Sequence, residues 1–232
     1  MKQLIGKDLR LAHRIYLVLA ALFICSLVVS NLIFQKFFYW NPFGWFRFEL
    51  SVGLLPYPIT FLITDLVSEI YGRRKANDLV LAGIFASVFS LGIIHVADIA
   101  PAIPESAIQD DVFTKVFGAT TLAVISSMMA YLFAQFVDIQ IYHFWKRVTK
   151  GKMLWLRNNL STFFSQFVDT MSVLLLLCYA GILSWDKFWP LLGAGFFFKV
   201  LVALFDTPLL YAGVYIFRRL FRLEQAQEIQ ID

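Results

Sequence analysis

The chain of 232 residues is too apolar for a soluble domain. Hydrophobic residues make up 59% of it and the mean hydropathy is +0.71, whereas a soluble domain is about 45–50% apolar. The net charge of +4 does not indicate nucleic-acid binding, because the basic residues fall in short clusters between apolar runs. Composition therefore predicts an integral membrane protein and excludes a soluble nucleic-acid-binding domain.

Six apolar runs are long enough to cross a bilayer, which takes about 20 residues. They predict one all-α domain over residues 1–232, a six-helix bundle with spans at about residues 15–34, 50–71, 79–96, 117–144, 160–183 and 188–217. Pro56 and Pro58 interrupt the second span near its start, since each removes a backbone donor. Pro208 leaves the Leu204 carbonyl in the sixth span without its helical donor.

The basic residues alternate from one inter-span segment to the next. Segments before span 1, between spans 2 and 3, between spans 4 and 5, and after span 6 hold 15 of the 20 Lys and Arg. The other three loops hold 4, and Lys199 lies within span 6. Because cytoplasmic loops carry the excess of Lys and Arg, both termini are predicted to be cytoplasmic.

A small set of polar residues remains inside the predicted spans: Asn31, Asp65, Glu69, Gln135, Asp138, Gln166, Asp169, Lys199 and Asp206. A charged side chain at the bilayer centre costs about 2.5–3.5 kcal/mol on insertion scales. These groups should therefore face the bundle interior or a wet cavity. One reading is that Lys199 pairs with an acid and the rest form interhelical hydrogen bonds; the excess of acids favours a path for a polar solute or protons.

The polar residues recur at helical spacing. Each of four spans carries one stripe on a single face: Tyr57, Phe61, Asp65 and Glu69; Tyr131, Gln135, Asp138 and Tyr142; Thr162, Gln166 and Asp169; Lys199 and Asp206. Glu69 is the weakest member, because Arg73 follows closely and the carboxylate can reach the membrane interface.

The sequence Gln-Phe-Val-Asp occurs twice, at 135–138 and 166–169, through either internal duplication or coincidence. Counted from the basic loop 145–157 at about 1.5 Å per residue, Asp138 and Asp169 lie roughly 10 and 18 Å from the cytoplasmic side. We therefore predict that Gln135, Asp138, Gln166 and Asp169 line one central cavity, closed from span 6 by Lys199 and Asp206.

Enzyme motifs are missing from the sequence. It has no Gly-x-Ser-x-Gly, no His-Glu-x-x-His and no phosphate-binding Gly loop. Asp138 and Asp169 could imitate the acid pair of an intramembrane aspartyl protease, but its supporting motifs are absent. Cys25 and Cys178 lie in apolar runs and the three His are scattered, so we expect neither a disulfide nor a metal site nor a cofactor.

Several motifs follow one another in order along the chain: Thr64-Asp65-Leu66 with Glu69-Ile70-Tyr71-Gly72, Gln135-x-x-Asp138-Ile139, Ser161-Thr162 with Gln166-x-x-Asp169-Thr170, and Lys199 with Asp206-Thr207-Pro208. Together with Asn31 they resemble the queuosine precursor transporter family, of the vitamin-uptake-transporter type. The resemblance implies import of 7-cyano-7-deazaguanine, 7-aminomethyl-7-deazaguanine or queuine across the bacterial inner membrane, for making queuosine in tRNA.

The polar stripes and the resemblance together predict one set of substrate-binding residues: Asn31, Phe61, Asp65, Glu69, Gln135, Asp138, Thr162, Gln166, Asp169, Lys199 and Asp206. Carboxylates and amides can bind the edge of a guanine-like base, and aromatic rings can stack on its face. The expected partners are the deazapurine and the lipid bilayer, without nucleic-acid contact; a homodimer is a further option. The alternatives are a substrate-capture membrane subunit that depends on a separate energising partner, and an intramembrane enzyme.

Overall fold

The computed structural model describes residues 2–33, 36–41, 44, 48–118, 121–179, 181, 183–225 and 227–231, with the backbone alone at 37, 48, 49, 118 and 121–127. The described chain is mainly helical. Its α-helices are α1 (Lys7–Ile33), α2 (Tyr57–Ile70), α3 (Gly72–Ile99), α4 (Asp110–Phe113), α5 (Thr121–Val148), α6 (Leu154–Tyr179) and α7 (Phe188–Phe221). A 3-10 turn (Val52–Leu54) precedes α2, a π-helical turn (Thr114–Gly118) follows α4, and a second 3-10 turn (Trp185–Lys187) leads into α7.

Five stretches of the described chain have the length and hydropathy of membrane spans: Lys7–Ile33, Val52–Ile70, Gly72–Ile99, Leu154–Tyr179 and Trp185–Phe221. The prediction of an all-α membrane protein is thereby confirmed. Helix α5 has 28 residues, or about 42 Å, which is ample for a bilayer core of about 30 Å. Its role as the remaining span stays a prediction, and so does the count of six.

The helices depart from the predicted spans mostly at the ends that lie on the same side of the bundle as the termini. Helix α1 starts at residue 7 rather than 15, α3 at 72 rather than 79, and α6 at 154 rather than 160, while α5 and α7 run four residues further. Polar and charged residues at these positions continue the helices beyond the apolar runs. Residues 34, 180 and 182, at the predicted ends of spans 1 and 5, lie outside the described residues.

The predicted second span was wrong at its start, because Leu50 and Ser51 belong to a β-strand. Helix α2 begins only at Tyr57, with Pro56 at its N-cap and Pro58 in its first turn. Proline is tolerated there because the first N–H groups of a helix have no intrahelical acceptor. At 14 residues, or about 21 Å, α2 alone is shorter than the bilayer core.

The described residues also form four short strands, where none were predicted: β1 (Lys2–Gln3), β2 (Phe37–Trp40), β3 (Phe48–Ser51) and β4 (Ile229–Gln230). Strands β2 and β3 form an antiparallel pair between α1 and α2. Strands β1 and β4 pair in parallel, and the Lys2 ammonium donates to the last carbonyls of α7, those of Phe221 and Arg222. The two ends of the described chain therefore lie on the same side of the bundle, as an even number of crossings requires.

Helix α2 lies in the middle of the bundle. It packs against α1, α3, α5 and α7, and all of its residues from 60 to 70 except Leu62 are buried. Gly72 then turns the chain directly into α3 with a φ of +83°, a left-handed conformation that glycine adopts without the steric cost of a Cβ. The Tyr71 hydroxyl fixes this turn by donating to the Ala12 carbonyl at 2.9 Å. A short, surrounded helix of this kind places its polar stripe at the centre of the molecule.

We predict that a reporter fused to either terminus reads cytoplasmic, since the paired termini share one side and that side carries the basic excess. The measurement uses one reporter that is active only in the cytoplasm and one active only outside it. An external signal at either end would contradict both the orientation and the even number of spans.

Candidate functional site

A cavity opens between α2, α6 and α7. It consists of two adjoining hollows whose walls share Phe61, Thr162, Ala203 and Asp206. We call them together the central cavity. Six of the eleven predicted site residues line its walls: Phe61, Asp65, Thr162, Gln166, Lys199 and Asp206.

An ion pair forms one end of the central cavity. The Lys199 ammonium on α7 binds Oδ2 of Asp169 on α6, and the Tyr57 hydroxyl on α2 donates to the same oxygen at 2.5 Å. Lys199 also lies 4.9 Å from the centre of the Tyr57 ring, a cation–π distance. Tyr57 and Lys199 line the cavity, whereas Asp169 lies behind them. Asp169 therefore acts on the cavity indirectly, by holding the Tyr57 hydroxyl and the Lys199 ammonium in place.

Three carboxyl groups cluster in the middle of the bundle. Asp65 on α2 lies on the cavity wall and within electrostatic range of Asp138 on α5 and Asp206 on α7. Asp138 is fully buried and accepts from the Ser165 hydroxyl at 2.9 Å. Among the described residues none of these three acids forms an ion pair, so this end of the cavity is rich in acceptors and has no paired cation.

Helix α6 contributes further acceptors. The side-chain oxygens Asn158 Oδ1, Gln166 Oε1 and Asp169 Oδ1 are buried and have no hydrogen-bond partner within the described part of the chain. Asn158 and Gln166 line the central cavity. An unpaired buried polar atom costs about 1–3 kcal/mol, so these atoms are suited to receive donors from a bound solute or from water.

Glu69 lies outside the central cavity, at the end of α2 nearest the termini. Its Oε1 accepts from Arg157 on α6 and Arg218 on α7, both at 2.9 Å. Its Oε2 accepts from the Tyr142 hydroxyl at 3.0 Å and lies 3.3 Å from the Lys146 ammonium of α5. Glu69 is only 1% exposed, so it is covered by protein whatever its depth in the membrane. With its oxygens already bound, it holds α2, α5, α6 and α7 together, and we call these charged groups the Glu69 cluster.

The two Gln-Phe-Val-Asp copies occupy unlike environments. Gln166 faces the central cavity, whereas Gln135 is fully buried between α2 and α5, accepting from Thr64 at 3.2 Å and donating to the Tyr131 hydroxyl at 2.7 Å. From the helix ends at Val148 and Leu154, Asp138 and Asp169 lie about 15 and 22 Å deep. The predicted depths of about 10 and 18 Å were counted from Trp145 and Arg157 instead, and they stay predictions.

Asn31 belongs to a different cavity, between α1, α3, α5 and the π-helical turn. Ser87 and Ser90 of α3 line it as well, and the Asn31 Nδ2 is buried without a hydrogen-bond partner among the described residues. The structure thus does not bring Asn31 together with the residues of the central cavity.

Sequence reasoning missed the polar residues Tyr57 and Asn158 of the central cavity and Arg157 of the Glu69 cluster. Tyr57 was placed on the α2 stripe but not among the binding residues, and Asn158 was not considered. Arg157 was counted as part of a cytoplasmic loop, although it lies in the first turn of α6 and is fully buried. Arg157 precedes Thr162 by five residues and Gln166 by nine. This spacing indicates only weakly that it belongs to the same helix as they do. No group of three His, Cys, Asp or Glu in the described ranges is placed to hold a metal ion.

Comparison with known proteins identifies the kind of molecule. Residues 51–213 match a family model described as "Putative vitamin uptake transporter". The chain belongs to this family. The matched range contains every residue of the central cavity and of the Glu69 cluster except Arg218, and it makes the protein a multi-pass membrane transporter rather than an enzyme.

One curated relative is a protein of Bacillus subtilis (strain 168) named "Probable queuosine precursor transporter". It is 27% identical over 169 residues, which cover 72% of this chain and 73% of the relative. No solved structure matches.

We predict that Glu69→Gln destabilises the bundle by about 3–5 kcal/mol, because it leaves Arg157 buried beside two further cations without a counter-charge. The measurement is thermal unfolding of the purified protein in detergent. Asp206→Asn is the matched control, since Asp206 is half-buried and forms no ion pair among the described residues. Equal unfolding temperatures for the two variants would contradict a structural role for Glu69.

Proposed function

We propose that the protein imports queuosine precursors across the bacterial inner membrane, binding their 7-deazaguanine base in the central cavity. The observation that carries the proposal is the combination of aromatic rings with buried acceptors on the cavity wall. The name of the Bacillus relative supports the same substrate class. The candidates are 7-cyano-7-deazaguanine, 7-aminomethyl-7-deazaguanine and queuine.

The chemistry of the wall fits a guanine-like edge. Such an edge offers an N1–H and an exocyclic amine side by side, and a carboxylate accepts both as a bidentate pair. Asp65 and Asp206 present carboxyl groups on the wall, and the Gln166 oxygen is available as an acceptor. Phe61 and Tyr57 offer ring faces for stacking.

The Glu69 cluster closes the cavity toward the side of the termini. Glu69 follows Asp65 by one helical turn on the same face of α2, so the cluster lies directly below the acid-lined hollow. Arg157, fully buried, fills the space between α2, α6 and the ring of Tyr142, which lies 5.5 Å from its guanidinium carbon. Release of a substrate to the cytoplasm therefore requires α6 or α7 to separate from Glu69.

The function is tested by complementation. A bacterial host unable to make the precursor is supplied with one of the three compounds, and queuosine in its tRNA is measured with and without this protein. We expect queuosine to appear only when the protein is expressed. If queuosine stays absent from the tRNA although the protein is correctly inserted, the proposal is rejected for that compound.

Asp169→Asn is the informative variant in the same assay. Asparagine keeps an acceptor for Tyr57 but removes the charge that balances Lys199, so we expect uptake to fall while insertion and abundance stay near normal. Uptake at the level of the unmodified protein would remove Asp169 from the site.

The twin glutamines provide a second prediction with a built-in control. Gln166→Leu removes an unpartnered cavity acceptor, so we expect weaker substrate affinity with little change in unfolding temperature. Gln135→Leu leaves the Thr64 and Tyr131 hydroxyls without their amide partner, so we expect lower stability, by about 1–3 kcal/mol. Uptake kinetics and thermal unfolding of both variants check this, and the reverse pattern would place the substrate beside Gln135.

A further inference from the structure

Two carboxyl groups meet between α2 and α5. Asp65 and Asp138 lie within hydrogen-bond range of each other and are only 4% and 0% exposed. One oxygen of Asp138, Oδ1, accepts from the Ser165 hydroxyl at 2.9 Å. The other, Oδ2, is buried and has no donor among the described residues. We call Asp65 and Asp138 the acid pair.

The groups around the acid pair do not neutralise it. From α7 it is faced by a third carboxyl, that of Asp206, and from α6 by the Ser161 and Ser165 hydroxyls. The buried residues of α3 are uncharged, and α1 has no charged residue in the segment 15–33. Across the described ranges, no cation is therefore paired with Asp65 or Asp138.

The other titratable groups inside the bundle are bound elsewhere. The ion pairs join Asp169 to Lys199, and Glu69 to Lys146, Arg157 and Arg218. The tyrosine hydroxyls bind as follows: Tyr57 donates to Asp169, Tyr142 donates to Glu69, and Tyr131 accepts from Gln135. These contacts leave the acid pair to be balanced by a group from outside the chain.

Asn158 is an independent sign that a donor enters beside the acid pair. Its side chain is 3% exposed, and its Oδ1 has no partner within the described part of the chain. It lines the same hollow as Asp65 and Asp206. An unpartnered acceptor beside two carboxyl groups requires a donor, and water entering the hollow supplies one together with a path for protons.

We propose that the acid pair binds the proton that drives uptake, so that one proton enters the cell with each imported base. Two carboxylates in direct contact cannot both be ionised, so the closed, dry bundle requires a proton between them. Asp65 lies on the cavity wall, whereas Asp138 is fully buried. Asp138 can therefore hold the proton while the ionised Asp65 accepts from the base. The inference rests on the proposed import function.

The proton is conserved through the transport cycle. It comes from water on the outer side, occupies the acid pair while the cavity is closed, and leaves to the cytoplasmic water when the helices separate at the Glu69 cluster. The carboxyl O–H is the one covalent bond that forms and breaks. Since hydration then replaces the contact between the two acids, the same opening releases the base and the proton.

The test measures uptake of 7-cyano-7-deazaguanine into proteoliposomes with the membrane potential held at zero. With one pH unit of gradient, acidic outside, the unmodified protein should accumulate the base about tenfold, and a protonophore should abolish the accumulation. Asp138→Asn keeps an acceptor for Ser165 and a donor for Asp65 but has no titratable proton, so its uptake should not respond to the gradient. Asp8→Asn makes the same chemical change at an exposed position of α1 and should respond like the unmodified protein.

Infrared spectroscopy of the purified protein tests the acid pair without transport. A protonated carboxyl group has a C=O stretching band that an ionised carboxylate lacks. At neutral pH this band should be present in the unmodified protein and in Asp8→Asn, and it should be reduced in Asp138→Asn.

The outcomes separate this inference from the import function. Uptake that ignores the pH gradient, or that follows a sodium gradient instead, would overturn the inference and leave the import function in place. Absence of any transport rejects the import function for this compound, and the infrared spectra then decide on the acid pair. An unmodified protein without the carboxyl band, or a band that Asp138→Asn leaves unchanged, would overturn the inference.

Discussion

The arrangement of this bundle depends on one buried carboxylate. Glu69 sits at the end of the central helix α2 and is 1% exposed, a position where an unpaired charge would be costly by several kcal/mol. It is tolerated because three cations from three other helices converge on it: Lys146 of α5, Arg157 of α6 and Arg218 of α7. Burial of Arg157 in turn requires Glu69. The mutual requirement fixes how far each helix is shifted along its axis relative to α2.

From that fixed end, α2 and α5 keep one parallel register over their whole contact. The rings of Tyr57 and Tyr131 lie 4.9 Å apart, Thr64 bonds to Gln135, Asp65 interacts with Asp138, and Glu69 bonds to Tyr142. In these pairs the residue numbers increase in the same direction along α2 and α5, so the two helices are parallel. Helix α6 runs the other way, from Arg157 beside Glu69 to Asp169 beside Tyr57. The central cavity is the space that α2, α6 and α7 leave between these fixed ends.

Much of this pattern could be read from residue spacing. Intervals of three and four gave the polar stripes, and costly burial of charge correctly gave an interior position for Asp65, Asp138 and Asp169. Spacing defines a helical face but not the neighbour that the face meets, so it could not separate Gln135 from its twin Gln166. Arg157 was wrongly counted as a loop cation for a related reason. It lies in the first turn of α6, and this part of the helix is too polar to be recognised from the apolar pattern. The position of Asn31 depends on the distant contacts of α1 and α3, which no local pattern encodes.

The two ends of the central cavity differ in the number and burial of their ion pairs. This difference bears on how the helices of a transporter separate at each end. One acid and one cation, Asp169 and Lys199, meet at one end, and Lys199 is already 11% exposed. At the other end the Glu69 cluster combines more charges, and its central pair, Glu69 and Arg157, is at most 1% exposed. Separating its helices toward water is not equivalent to deleting a partner, because each charge regains the hydration that burial removed. A desolvated ion network can therefore have two arrangements close in free energy, closed and dry or open and hydrated. A transporter that opens and closes one end of a polar cavity needs that property.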